Sequence, residues 1–406
     1  MMIVLSLSIL SLVIWLYLLL FRGQFWRTDQ HLEAESDSIA SSKKSALVTH
    51  PSVCVVIPAR NEADVLPKTL RSLLTQNYTG HVSVIVVDDH STDGTADIAH
   101  KTVQSLGKAY QLQVYPAEPL PSGWTGKLWA LEQGTQQVMG RSPAPDYILL
   151  SDADIEHDSQ NLSRLVTKAE TQSLDLASVM VRLRCESLPE QWLIPAFVFF
   201  FQKLYPFRWV NQPSRKTAAA AGGCVLIRTL ALQRIGGISS IRDALIDDCT
   251  LAQRVKQADS TTTSPSKGNY HPIWLGLSSR TVSLRPYPTL KTIWDMVART
   301  AYTQLNYSPL LLIGTLLGMI LVYWVAPLAF LGGLVTGTPL VAMTGGITWG
   351  LMAIAYFPMV RFYQCSPLYA LALPAIAFLY TLMTLDSALR HWQGKGGSWK
   401  GRTYSS

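Results

Sequence analysis

Three things are missing from this sequence, and each closes off a class of protein. No Lys or Arg precedes the first apolar run and no small-residue cleavage site follows it, so residues 1–21 do not read as a secretory signal. The five cysteines (Cys54, Cys185, Cys224, Cys249 and Cys365) form no CxxC pair and have no His at zinc spacing. That leaves reduced, buried thiols in a cytosolic domain as the expectation. No dense basic stripe interleaves with aromatics outside the membrane-flanking regions. The formal net charge of +7 therefore does not point to nucleic acid; it suits an anionic membrane surface.

What is present is apolar at both ends. Residues 1–21, "MMIVLSLSILSLVIWLYLLLF", are long enough to cross a bilayer core of roughly 30 Å and predict an uncleaved anchor. A second block divides into 310–334, 340–360 and 368–385, broken by "TGTP" and "RFYQCSP". Tyr323, Trp324, Trp349, Tyr356 and Tyr363 are available as interfacial aromatics or as packing between helices. Arg22 and Arg27 after the first span place the middle of the chain in the cytoplasm. The basic tail (Arg390, Lys395, Lys400, Arg402) should lie on the same side, whereas one anchor plus three further spans puts it on the other. The expected layout is an anchor (1–21), a polar linker (22–52), a soluble domain (53–285), an interfacial helix (286–308), transmembrane helices (309–386) and the tail (387–406).

Within the soluble part, apolar runs alternate with helical periodicity. "VCVVIP", "VSVIVVDD", "LQVYP" and "DYILLSDAD" read as strands, with helices between them. That order predicts an α/β domain with a doubly wound, mostly parallel sheet covered on both faces. Ligands of such sheets gather at the carboxyl ends of the strands. Pro58–Glu62, Asp88–Asp89 and Asp152–Asp154 all fall there.

Asp152 and Asp154, two apart at a strand end, suit a hard divalent ion, Mg²⁺ or Mn²⁺, shared with a diphosphate; the plain alternative is a turn. Lys127 follows a Gly-bearing loop at a helix start, where a cation opposes the helix dipole. It is either a phosphate contact or solvated. Asp247 and Asp248 open a predicted helix, one as an N-cap and the other free to act as a general base. Residues 190–210, "EQWLIPAFVFFFQKLYPFRWV", predict an in-plane interfacial helix or else a core helix. With Arg299 and Gln304 on the amphipathic stretch ahead of the C-terminal spans, they suggest a lipid acceptor entering from the membrane.

Taken together, "VVIPARNE", "VIVVDDHSTDGT", "LLSDADI", "AAGGCVLIR" followed by "LQRIGG", and "IDDCTLAQRV" resemble the inverting family 2 glycosyltransferases of the GT-A fold. "LPSGWTGKLWA", "WKGR" and the anchor-plus-spans layout resemble the hopene-associated branch. The resemblance implies that Pro58, Ala59, Glu62 and Asp89 cradle the uridine of a UDP-sugar. Asp152 and Asp154 become the DXD pair, Asp248 the base, and Gly222 and Gly223 the acceptor loop. Arg60, His90 and Asp247 depart from the family's usual Tyr, Gly and Glu. The "QxxRW" motif of processive synthases is absent, which favours transfer of one hexose to a lipid hydroxyl. The rivals are a processive polysaccharide synthase and a non-catalytic nucleotide-sugar binder.

Overall fold

A computed structural model describes residues 2–33, 50–258 and 270–394, and the short strands 398–399 and 402–403. The middle of the expected linker, 34–49, and the side chains of the tail beyond residue 394 lie outside the described residues.

Eight strands form one sheet in the order β3-β2-β1-β4-β7-β6-β8-β5. They are β1 Val53–Ala59, β2 Val82–Asp88, β3 Leu112–Pro116, β4 Tyr147–Ser151, β5 Ile155–Glu156, β6 Leu176–Arg182, β7 Cys224–Arg228 and β8 Ile273–Ser283. β1 pairs in parallel with both β2 and β4, β2 with β3, and β6 with β8. β7 runs against β4 and β6, and β5 against β8. The chain winds outward from β1 toward β3 and then returns to β4 on the other side. The crevice at the ends of β1 and β4 is therefore a topological switch point, where such sheets bind ligands.

The strands are apolar throughout because both faces are covered. Alternate residues of β1 enter different cores: Cys54 and Val56 on one face, Val53, Val55 and Ile57 on the other. The second face is covered by α2 (Leu66–Leu74), α3 (Thr95–Ser105) and α5 (Asn161–Thr171). The first carries α4 (Gly126–Met139), α6 (Leu188–Leu204) and α7 (Asp247–Lys256). α4 lies so close to β1 that a Cβ on Gly134 would sit 2.4 Å from Val56 Cγ1.

Four helices are long and apolar enough to cross a membrane: α1 (Met2–Phe21), α9 (Pro309–Val335), α10 (Pro339–Phe362) and α11 (Pro367–Trp392). α8 (Leu290–Ala298) precedes them. The expected class, a doubly wound and mostly parallel α/β sheet with, among the described residues, one N-terminal and three C-terminal apolar helices, is met.

Three sequence expectations change. First, α1 is more than a tether. Trp15 Nε1 donates to Val322 O at 2.7 Å, and Ser8 Oγ lies 2.9 Å from Thr344 Oγ1. Second, the start of the linker is packed. His31 bridges Leu277 beside β8, and Glu33 accepts from the Ser278 hydroxyl and from backbone N–H groups of Ser279 and Arg280. Burial opposes the Glu33 charge, but bonds from His31, Ser278 and backbone amides outweigh it and hold the carboxyl at about 2. Third, α6 lies at the seam between the sheet and the apolar helices. Its Leu193 carbonyl accepts from Tyr380 OH at 2.8 Å, and Phe199 packs edge-on against Tyr356 at 5.2 Å. Tyr323, Tyr356 and Tyr363 are buried between helices. One apolar cluster consequently runs from the sheet through α6 into the bundle.

Candidate functional site

A cavity of about 530 Å³ opens at the switch point. Its floor is made by strand ends. β1 brings Pro58, the turn after β4 brings Asp152 and Asp154, and Lys127 enters from the first turn of α4. That turn is fixed by Thr125, the N-cap, whose hydroxyl oxygen accepts from Leu128 N–H. Asp247 and Asp248 sit in the first turn of α7; Ile246 is its N-cap, so neither aspartate has that role.

The acids do not stand alone. Lys127 Nζ is 3.0 Å from Asp152 Oδ1 and 3.2 Å from Asp247 Oδ2. Burial works against its charge, but Asp152, Asp247 and Asp248 hold its pKa above the ordinary lysine value. Asp154 is met by a residue that the motif spacing did not flag. Arg285 places Nε 2.7 Å from Asp154 Oδ2 and Nη2 2.8 Å from Glu62 Oε1. It lies two residues past β8, which runs parallel to β6, so the same strand-end rule applied to the last long strand would have found it. Its loop is pinned by Glu190, a fully buried carboxylate that accepts from Tyr287 N–H and Arg184.

Asp248 differs from its neighbours. Gly222 N–H donates to its Oδ2 at 2.8 Å and Cys249 N–H to its Oδ1 at 2.7 Å. Among the described residues it has no ion-pair partner. Burial and then the adjacent Asp247 raise its pKa to about 6, against the lowering pull of Lys127 and the two amides. Gly222 is needed for this approach, since a Cβ there would meet Lys127 Nζ at 3.3 Å and Asp248 Oδ2 at 3.4 Å. Asp152, partly exposed and beside Asp154, is held above the ordinary carboxylate value by desolvation and by that neighbouring charge.

The opposite wall is mixed. Phe197 and Phe201 come from α6, and α8 and the residues after it bring Met296 beside Thr292, Asp295, Arg299 and Thr300. α8 is docked on the last span by Trp294 Nε1 donating to Asp386 at 2.7 Å and by Arg390 bonding Asp295 at 2.8 Å.

Ten of the expected residues converge on this cavity: Pro58, Glu62, Lys127, Asp152, Asp154, Gly222, Gly223, Asp247, Asp248 and Arg299. Ala59 is fully buried in β1, with its carbonyl accepting from Asp89 N–H. Asp89 is buried beneath the β1–α2 loop, and its carbonyl accepts from Arg60 Nη1. Gln304 lies outside the cavity, bonded to Tyr205 OH at 2.7 Å and lining a neighbouring one.

The donor set fits a divalent ion shared with substrate. Six carboxylates line the cavity against three cations, so a diphosphate entering it needs further positive charge. Among the described residues no three carboxylate, imidazole or thiolate groups converge as a cage. An ion there would rest on Asp152 and Asp154 plus ligand oxygens, the manner in which Mg²⁺ binds phosphates.

Residues 54–236 match the family described as glycosyl transferase family 2. The 4,4'-diaponeurosporenoate glycosyltransferase of Staphylococcus haemolyticus is 33% identical over 123 residues, 30% of this chain and 29% of that one. The undecaprenyl-phosphate mannosyltransferase of Micrococcus luteus is 31% identical over 127 residues, 31% of this chain and 47% of that one. The chain thus spans under half the length of each. A mannosyltransferase from Pyrobaculum calidifontis, solved with GDP-Man and Mn²⁺, aligns over 96% of this chain and 99% of its own at 16% identity and a TM-score of 0.49.

Proposed function

We propose that this chain is a metal-dependent, inverting family 2 glycosyltransferase. It moves one hexose from a nucleotide sugar, a UDP-sugar, to the hydroxyl of a hopanoid or other membrane lipid, with its catalytic domain on the cytoplasmic side. One observation carries the reading: a single cavity joins a carboxylate–cation pole at the strand ends to the aromatic rings of Phe197 and Phe201 on α6 and to Met296 of α8. A charged donor and a greasy acceptor can meet only in such a place. The family match over 54–236 and the named relatives support the transferase class.

Asp248 is the base. Its carboxylate is oriented by two amide donors and makes no direct ion pair among the described residues, although Lys127 lies near enough to lower its pKa, whereas Asp247 is ion-paired to Lys127. A base with a pKa near 6 is largely ionised at pH 7 yet still accepts a proton as the bond forms. Asp248 takes the acceptor proton as that oxygen attacks the anomeric carbon, and the bond to the diphosphate breaks on the opposite face, inverting configuration. Lys127, charged throughout, neutralises the leaving phosphate's growing charge. Mg²⁺ or Mn²⁺ held by Asp152 and Asp154 would stabilise the same diphosphate. Arg285 keeps Asp154 and Glu62 in place.

The test uses the full chain in nanodiscs with labelled UDP-hexoses, a lipid extract, and Mg²⁺ or EDTA. The expected product is a lipid bearing one sugar of inverted configuration, formed only with metal. A ladder of oligosaccharides would make the protein a processive synthase. Donor binding with neither transfer nor donor hydrolysis would make it a binding protein.

A further inference from the structure

We propose that a second chamber beside the catalytic cavity binds a sugar ring on the acceptor, so that the lipid receiving the hexose already carries a polyhydroxylated headgroup. This rests on the glycosyltransferase reading and names the acceptor class for it.

The chamber measures about 460 Å³. Ala244 and Leu245, in the segment leading to α7, line both cavities and form the partition. α7 serves the two sides at once: Asp247 and Asp248 face the catalytic cavity, while Thr250 and Gln253 face the chamber. The far wall is made by Thr303, Gln304, Asn306 and Tyr307, immediately before Ser308 caps the first C-terminal span. The chamber therefore lies between the base and the start of an apolar helix, where a lipid headgroup reaching the base would pass.

Its chemistry selects the ligand. The side chains of Asp243, Gln253 and Asn306 make no hydrogen bond or ion pair among the described residues. A carboxylate and two amides offer acceptors and donors together, as vicinal hydroxyls require. Tyr205 and Tyr307 add aromatic faces with polar tips, matched to a ring with C–H faces and a hydroxyl rim. Among the described residues no Lys or Arg lines the chamber, so a phosphate headgroup would enter beside Asp243 without a counter-charge from them. These three side chains are solvent-exposed, and a bare alkyl chain covering them would replace their water without pairing them.

The probe is a monoglucosyl diacylglycerol with a photoreactive diazirine on its glucose, presented to the full chain in nanodiscs. We expect crosslinks in peptides spanning 243–253 and 303–307. Unlabelled monoglucosyl diacylglycerol should compete; diacylglycerol and phosphatidic acid should not. The double variant Gln253→Ala, Asn306→Ala lies on exposed surface and should keep the wild-type melting midpoint while losing at least about fivefold in labelling. Crosslinks confined to other segments, equal competition by phosphatidic acid, or full labelling of the folded double variant would each overturn the proposal. Intact labelling in a protein that transfers no sugar to any lipid would count against the transferase reading alone.

Discussion

The strand-end side and the helix side of the cavity, the proposed donor and acceptor sides, are built in different ways. On the donor side, Pro58 ends β1, while Asp152 and Asp154 follow β4, strands joined by a continuous parallel ladder. On the acceptor side, Phe201 comes from α6, Asp248 from α7 and Met296 from α8, segments with no shared strand ladder. One half is placed by the sheet; the other is placed by helix packing against the bundle. A change on the donor side should therefore act on diphosphate binding, and one on the acceptor side on the lipid or on proton transfer.

The largest expected effect is at Asp248. Asp248→Asn should lower kcat by about 10²–10⁴-fold with the donor KM nearly unchanged. The wild-type rate should fall about tenfold per pH unit below about 6, because the raised pKa leaves the carboxyl protonated there, and level off above it. A pH–rate series on both proteins checks this, and an acid limb surviving in the variant would move the base elsewhere. Next comes Arg285→Met, which leaves Asp154 and Glu62 buried without their cation. Donor affinity should weaken about 10- to 100-fold, read by calorimetric titration with UDP and Mg²⁺; an effect on lipid KM instead would place Arg285 on the acceptor side. The smallest is Phe201→Ala. Losing a half-buried ring from the wall should raise the lipid KM about fivefold while acceptor-independent donor hydrolysis stays constant.

The donor half was largely legible in the sequence because a strand end is a local event. Apolar runs stop, and the acids that follow them land on one edge. Asp93, in the loop before α3, accepts from the N–H groups of Thr95 and Ala63. The position of Arg285 at a strand end was legible, but its pairing was not, since its partner Asp154 lies 131 positions away. A separation of 245 positions likewise hid the docking of Glu33 on Ser278. The cysteines divide in a way composition could not indicate. Cys54, Cys224 and Cys249 are buried, whereas Cys185 and Cys365 bring their sulfurs within 3.6 Å at the seam between domain and bundle.

The sequence by itself determined the four apolar helices, the alternation of strands and helices, and the acids at strand ends. These follow from length, periodicity and the points where an apolar run stops, all properties of neighbouring residues. Only the tertiary structure decided which cation meets which acid: Lys127 for Asp152 and Asp247, Arg285 for Asp154 and Glu62. It also decided that Asp248 is held by amides instead. Charge pairing and desolvation depend on separation through space, and residues far apart in the chain acquire that separation only when the sheet and the bundle close on α6.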